Sequence, residues 1–360
     1  MTFVPSQADS ELIVRRDGAL GRLTLNRPEA LGALTTAMCD AMIAALLEWR
    51  DDLTVSAVLI DHEGPRGFCA GGDIRTLAES AAGDGVAALK FFHTEYQLDH
   101  LISVYPKPVI TVMDGIVMGG GVGISLPARY RIATERTRFA MPETGIGLFP
   151  DVGTGWFLPK LPGRTGLWIA LTGSRLAAAD CELLGLATDV VAAERLPELK
   201  AAIAREPEAI ERILTEFEVE AGQPPVGVHH DEINHLFAGD SLEAVIAALE
   251  ADGGDWALAQ LDAMRPKSPL SAKVAFRLIA GGLNPASLAD DLSVEYRLAA
   301  RLALAPDFRE GVRAVIVDKD NAPAWRPASL AEVSDALVDE MFAPLPAGQE
   351  WTPLPETQGD

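Results

Sequence analysis

DGIVMGGGVGISLPARYRIATERTRFAMPETGIGLFPD, residues 114–151, is the stretch from which the rest of this chain can be read. An apolar strand, VITVMDG (109–115), leads into it, and three consecutive glycines, Gly119, Gly120 and Gly121, then turn the chain. The segment after them, VGISLPAR, reads as a short helix. Glycines between a strand and a helix let the backbone approach a ligand closely with free N–H groups aimed at it, and the helix dipole adds partial positive charge at the same point. Downstream, Glu143 and Asp151 stand eight positions apart in an otherwise apolar loop rich in Gly and Pro. Backbone donors followed by isolated carboxylates are the parts needed to stabilise an oxyanion and activate a nucleophile.

Outward from this stretch the pattern is one of strands alternating with helices. ELIVRR (11–16) and LGRLTL (20–25) flank Asp17-Gly18, a hairpin signal. Helical spacing runs from Thr36 to Arg50, and VSAVLID (55–61) reads as a buried strand. The Gly-rich loop EGPRGFCAGGDI precedes a helix containing Leu77, and a longer amphipathic helix is expected over 86–104. A strand near 131–134, short helices near 153–161, 164–171 and 178–184, and a last strand at 188–191 follow. The alternation implies right-handed crossovers and a mostly parallel α/β sheet. From about 195 to 342 the pattern is almost wholly helical. The expected organisation is a core over 1–200 carrying the site, a helical region over 201–345 and a loosely held tail over 346–360.

Composition narrows the partners. A chain of 360 residues with 48% hydrophobic content can bury a large core. A net charge of −22 argues against nucleic acid, which needs a basic footprint, although a few local Arg or Lys side chains suffice for a polyanionic small ligand. Cys39, Cys69 and Cys181 are too few and too scattered for a disulfide framework or a zinc site. The first residues, MTFVPSQADSELIV, lack the pattern of a targeting segment, and no run approaches the ~20 apolar residues of a membrane span. A soluble protein of a reducing cytoplasm is the expectation.

LTLNRPEALGALT (23–35), GFCAGGDI (67–74), GIVMGGGVG (115–123) and FAMPETGIGLFPDVGTGWFLPKLPG (139–163) together resemble the crotonase superfamily. Within it the chain is most similar to the 3-hydroxyisobutyryl-CoA hydrolase family, through SPLSAKVAFRLI (268–279), SVEYRLAARL (293–302) and DFREGVRAVIVDKDNAPAWRPA (307–328) as well. The resemblance implies a spiral of repeated β-β-α turns with a helical C-terminal region, whose helices serve trimer contacts or fold back over the site. It implies a coenzyme A thioester as substrate, hydrolysed in valine breakdown, with no metal and no organic cofactor. Carried over by position, the oxyanion donors are the N–H groups of Gly72 and Gly120. Ala70 aligns with a backbone contact to the adenine, Glu95 with a substrate-contacting position, Glu143 with the catalytic glutamate, and Asp151 with a residue of catalysis or substrate contact.

Two departures bear on reaction type. An enoyl-CoA hydratase or isomerase is the same-fold alternative; the hydratases carry a second catalytic glutamate where this chain has Gly123, and usually glycine where it has Asp151. A non-catalytic acyl-CoA-binding protein is the alternative of another class, opposed by the intact pair of acids. Asp151 also suits an N-cap for the helix after it, and Asp73 suits a cap in the first loop. Cys69 reads as a small packed residue, His229-His230 as solvated and Asp318-Lys319-Asp320 as a structural turn. Arg22, Arg27, Arg66, Arg75 and Lys107 are candidates for the coenzyme's phosphates, none favoured over the others.

Overall fold

The computed structural model describes residues 10–355. Leu12–Asp17 (β1) and Leu20–Leu25 (β2) form the expected antiparallel hairpin, with Leu12 opposite Leu25 and Asp17 opposite Leu20. Ala57–His62 (β3), Val109–Met113 (β5), Tyr130–Ala133 (β7) and Asp189–Val190 (β9) extend it into a six-stranded sheet of order β1-β2-β3-β5-β7-β9, parallel from β2 onward. Gly67–Cys69 (β4), Ile116–Met118 (β6) and Arg138–Ala140 (β8) form a second, three-stranded sheet. Each turn of chain thus supplies one strand to each sheet, giving the repeated β-β-α spiral. The second sheet is absent from the linear reading because three-residue strands are too short to show a period of two.

Central strands of the large sheet are buried on both faces, which explains their continuous apolar runs. Leu59, Ile110, Val112 and Ile132 share one core with Leu199, Ile203, Ile213 and Phe217 of the helices Leu196–Arg205 and Ile210–Phe217. A buried ion cluster lies in this part of the chain: Asp61 is fully buried and takes bonds from Arg22, Thr24 and Lys200.

Two compact units emerge, each made of separated pieces of chain. The first takes the chain up to Gly72, then Leu98–Phe139 and Leu176–Gly227, and contains both sheets apart from Ala140. The second takes Asp73–Gln97, Ala140–Arg175 and the chain from Val228 onward. The boundary expected near 200 falls inside the helix Leu196–Arg205 of the first unit, because the chain passes out of that unit and returns before its last helices. Beyond Val228 the second unit is helical, as expected, with Pro269–Ala280 packed on Thr165–Thr172.

Two local expectations are corrected. The helix after the triple glycine is Gly120–Gly123, so it begins inside the glycines and ends before Ser125. The tail is not loose as far as Trp351: that residue is 2% exposed and its Nε1 donates to the His93 carbonyl, while Glu350 pairs with Arg297. A large apolar ring outweighs the turn-forming composition around it. Residues 356–360 of that tail, and the first nine residues on which much of the targeting expectation rested, lie outside the described residues. No helix among the described residues is long and apolar enough to cross a membrane.

Candidate active site

The backbone donors belong to the first unit. Gly71 adopts a φ of 107°, which L side chains rarely reach, and a Cβ there would stand 3.5 Å from the Gly119 Cα and 3.6 Å from the Gly120 nitrogen. The CAGGD loop and the triple-glycine turn are therefore in direct contact. They also meet at Gly121, where any side chain would collide with the Cys69 carbonyl. Gly120 opens its one-turn helix, a position whose N–H has no partner within the helix. With a single turn, the positive potential there comes from local N–H groups more than from a macrodipole. Gly72 bridges Leu34 through the Leu34 N–H bond to the Gly71 carbonyl, an arrangement that does not use Gly72's own N–H. The Ala70 N–H is bonded to the Leu31 carbonyl, so a ligand contact at Ala70 would use its carbonyl.

The carboxylates belong to the second unit. Glu143 begins a 3₁₀ turn, Glu143–Ile146, and is 6% exposed, with no hydrogen-bond partner on Oε2. That turn is clamped from the far end of the sequence: Ser268 donates its N–H to the Thr144 carbonyl (2.9 Å), and a Cβ on Gly311 would stand 2.5 Å from Ile146. Asp151 is equally buried, and its Oδ2 accepts the Tyr96 hydroxyl at 2.8 Å. It does not cap the helix that follows. Thr154–Phe157 has Gly153 at its N-cap, and Asp151 offers that helix only its backbone carbonyl. Glu95 is 2% exposed, on the same helix as Tyr96, Val86–Ser103.

Electrostatics in this unit run against ionisation. Burial first, and then the charge of Asp151, pushes the Glu143 carboxyl well above the ordinary range, with Lys267 pulling the other way. Burial likewise pushes Asp151 up to about 6, against the Tyr96 hydrogen bond that favours its charged form. Tyr96 is held protonated, chiefly by burial and next by the Asp151 charge, so it remains a donor. Lys267 is pushed down by burial and up by Glu143.

A stability prediction follows. Below the unfolded carboxyl values both states are protonated and burial costs little. As pH rises past them, the unfolded chain ionises freely while the folded one resists, so the folded state loses stability until the raised folded values are passed. Glu143→Gln escapes this cost. Its melting temperature relative to the parent should be about 3 °C or more higher at pH 8 than at pH 4, a shift of roughly one kcal/mol or more. A difference that does not change with pH would mean that Glu143 sits in a solvated setting.

Elsewhere, Asp73 caps the helix Ile74–Ala81 through the Thr76 N–H, as expected. Cys69 is fully buried. Arg313 binds Asp318 and Asp320 at 2.6 and 2.7 Å, which makes that segment a structural turn. His229 stacks on Trp256 and His230 meets Asn234, so the pair is partly packed and not simply solvated. Among the phosphate candidates, Arg22 is bound to Asp61, Arg27 to Glu11 and the Ala33 carbonyl, and Lys107 to the carbonyls of Trp49 and Asp52. Arg66 and Arg75 remain exposed. Sequence reasoning missed Tyr96, although it adjoins Glu95, and Glu295, whose partners are more than a hundred residues away.

The family model described as enoyl-CoA hydratase/isomerase matches residues 20–342. A protein of Danio rerio named 3-hydroxyisobutyryl-CoA hydrolase, mitochondrial, is 41% identical over 352 residues, 95% of this chain and 92% of its own. The Homo sapiens protein of the same name is 39% identical, over 94% and 90%. Among solved structures, a carnitinyl-CoA dehydratase from Mycobacterium thermoresistibile superposes with a TM-score of 0.91 at 38% identity, covering 96% of this chain and 99% of that one. An enoyl-CoA hydratase from Rhodobacter sphaeroides gives a TM-score of 0.88 at 39% identity, covering 95% and 100%.

Proposed function

Because the chain belongs to the enoyl-CoA hydratase/isomerase, or crotonase, family, we propose that it hydrolyses the thioester of 3-hydroxyisobutyryl-CoA, or of a similar short 3-hydroxyacyl-CoA, to the hydroxy acid and coenzyme A in valine breakdown. The observation that carries this reading is a pair of buried acids, Glu143 and Asp151, combined with glycine at 123, in a chain about 40% identical to relatives named for that hydrolysis.

In the proposed mechanism the acyl oxygen accepts the N–H groups of Gly72 and Gly120, each typically worth ~3 kcal/mol as charge develops on it. Glu143 either attacks the carbonyl, giving a mixed anhydride that water opens, or takes a proton from an attacking water. Both routes need it ionised, so its raised pKa makes it a more basic group once charged. Asp151 receives the substrate's 3-hydroxyl or protonates the departing thiolate; a carboxyl pushed up to about 6 retains a protonated fraction near neutrality. Glu95 and the Ala70 carbonyl contact the substrate. The chemistry calls for no metal or organic cofactor, since a thiol leaves readily and coenzyme A belongs to the substrate. The proposed compartment is a reducing cytoplasm, in keeping with three buried cysteines scattered along the chain; the relatives cited are named as mitochondrial.

A second reading, hydration of an enoyl-CoA, is favoured by the name of one of the two solved structures, the enoyl-CoA hydratase. Gly123 opposes it, because only one of the two acids that hold the hydratase's water is present. Crotonyl-CoA separates the two. The hydrolase reading expects its enoyl absorbance to persist, whereas rapid loss of absorbance without thiol release would establish the hydratase reading.

A further inference from the structure

SVEYRLAARL, quoted above only as a point of resemblance, forms the core of the helix Leu288–Leu302, and two of its adjacent residues flank the surroundings of Asp151. Asp151 is followed by Val152 at a φ of 60° and Gly153 at a φ of 88°. A β-branched residue with positive φ is a conformational outlier that persists only when its surroundings hold it. Glu295, fully buried, supplies such a hold: its Oε2 accepts the Gly153 N–H at 2.7 Å and its Oε1 the Gly155 N–H at 3.0 Å. Tyr296 lies edge-on to Tyr96, with centroids 6.4 Å apart, and Tyr96 is the donor to Asp151.

We propose that Glu295 is a positioning residue, whose two carboxyl oxygens fix the 151–155 turn and thereby aim Asp151, with Tyr296 of the same helix packed edge-on against the Tyr96 ring. This rests on the reading that Asp151 acts on the substrate. The neighbouring Asp291, one helical turn earlier and 2% exposed, is pushed up to about 7 mainly by burial. Two adjacent buried carboxyls hold a single proton more readily than two charges. Burial, and after it the charges of Asp291 and Asp151, pushes Glu295 well above the ordinary carboxyl range, against the Gly153 and Gly155 N–H bonds that favour its charged form, so the pair holds one proton between them.

Glu295→Gln tests this. Glutamine offers one acceptor oxygen, and its amide group must then face an N–H, donor against donor. The turn should relax, and the specificity constant for the hydroxylated ester should fall on the order of 10- to 100-fold, the scale of a misplacement of about 1 Å. The readout that a general structural role would not move is coupling to Asp151. In an Asp151→Asn background, Glu295→Gln should cost less than about threefold, because the group it aims is already disabled. Unchanged activity in Glu295→Gln beside an impaired Asp151→Asn overturns the proposal and leaves the reading of the site standing. So does a loss that persists in full in the Asp151→Asn background. An unimpaired Asp151→Asn removes the reading of Asp151 itself, and the proposal with it. Should Glu295→Gln fail to fold, Glu295→Asp, which keeps the carboxyl on a shorter stem, should show the same coupling, and equal losses in both backgrounds would overturn the assignment.

Discussion

Glu143→Gln is expected to lower thiol release by at least ~100-fold, the lower range for a lost acid–base group and less than the loss of a nucleophile would bring. Glutamine keeps the shape of the side chain and removes its charge. The turn that presents it is held by groups the substitution leaves alone, namely the Thr144 carbonyl bonded to Ser268 and the contact between Ile146 and Gly311. A lost rate in a folded variant is therefore a chemical loss. Binding of coenzyme A, measured by calorimetry, should survive, since the charge removed is not part of the coenzyme's recognition. Near-normal thiol release from the folded variant would remove Glu143 from the reaction.

The second large effect concerns selectivity at Asp151. Its Oδ2 is bonded to Tyr96 and its surroundings are buried, so a substrate hydroxyl received there replaces a bond to water with one to the carboxylate. Isobutyryl-CoA, which lacks the hydroxyl, would strand that charge. Sites built to bind a hydroxyl reject the analogue without it by up to ~10⁴-fold, less where water fills the gap. Asp151→Asn can still accept the Tyr96 hydroxyl on its amide oxygen, so the packing is kept while the charge is lost. The preference for the hydroxylated ester should shrink along with the rate. An unchanged preference with a lower rate would give Asp151 a leaving-group role alone, with Glu95 the next candidate for the hydroxyl. If rate and preference both stay unchanged, Asp151 has no part in the site.

The hairpin, the parallel alternation and the glycine turn were legible because each is a local pattern: Asp17-Gly18 between apolar strands, β-branched runs, and three glycines after VITVMDG. The roles of Glu143 and Asp151 came from resemblance, since neither spacing nor composition separates a catalytic acid from a capping one. What the linear reading could not reach were contacts whose partners lie far apart. Tyr96 and Asp151 are 55 residues apart, and Gly153 and Glu295 are 142. The three C-terminal blocks of the resemblance acquire a physical meaning only in the fold. Ser268 and Gly311 hold the Glu143 turn, and Glu295 holds the turn after Asp151. Trp351 did carry a signal that could have been used, a lone large ring in a tail of Pro, Gly and polar residues.

The most direct measurement is thiol release from 3-hydroxyisobutyryl-CoA by the purified full chain, with the acid product quantified in the same sample. The expected result is free coenzyme A and 3-hydroxyisobutyrate in equal amounts, at a rate that Glu143→Gln lowers by at least ~100-fold. No release above the spontaneous rate, or an acyl group altered while still joined to coenzyme A, would contradict the hydrolase reading.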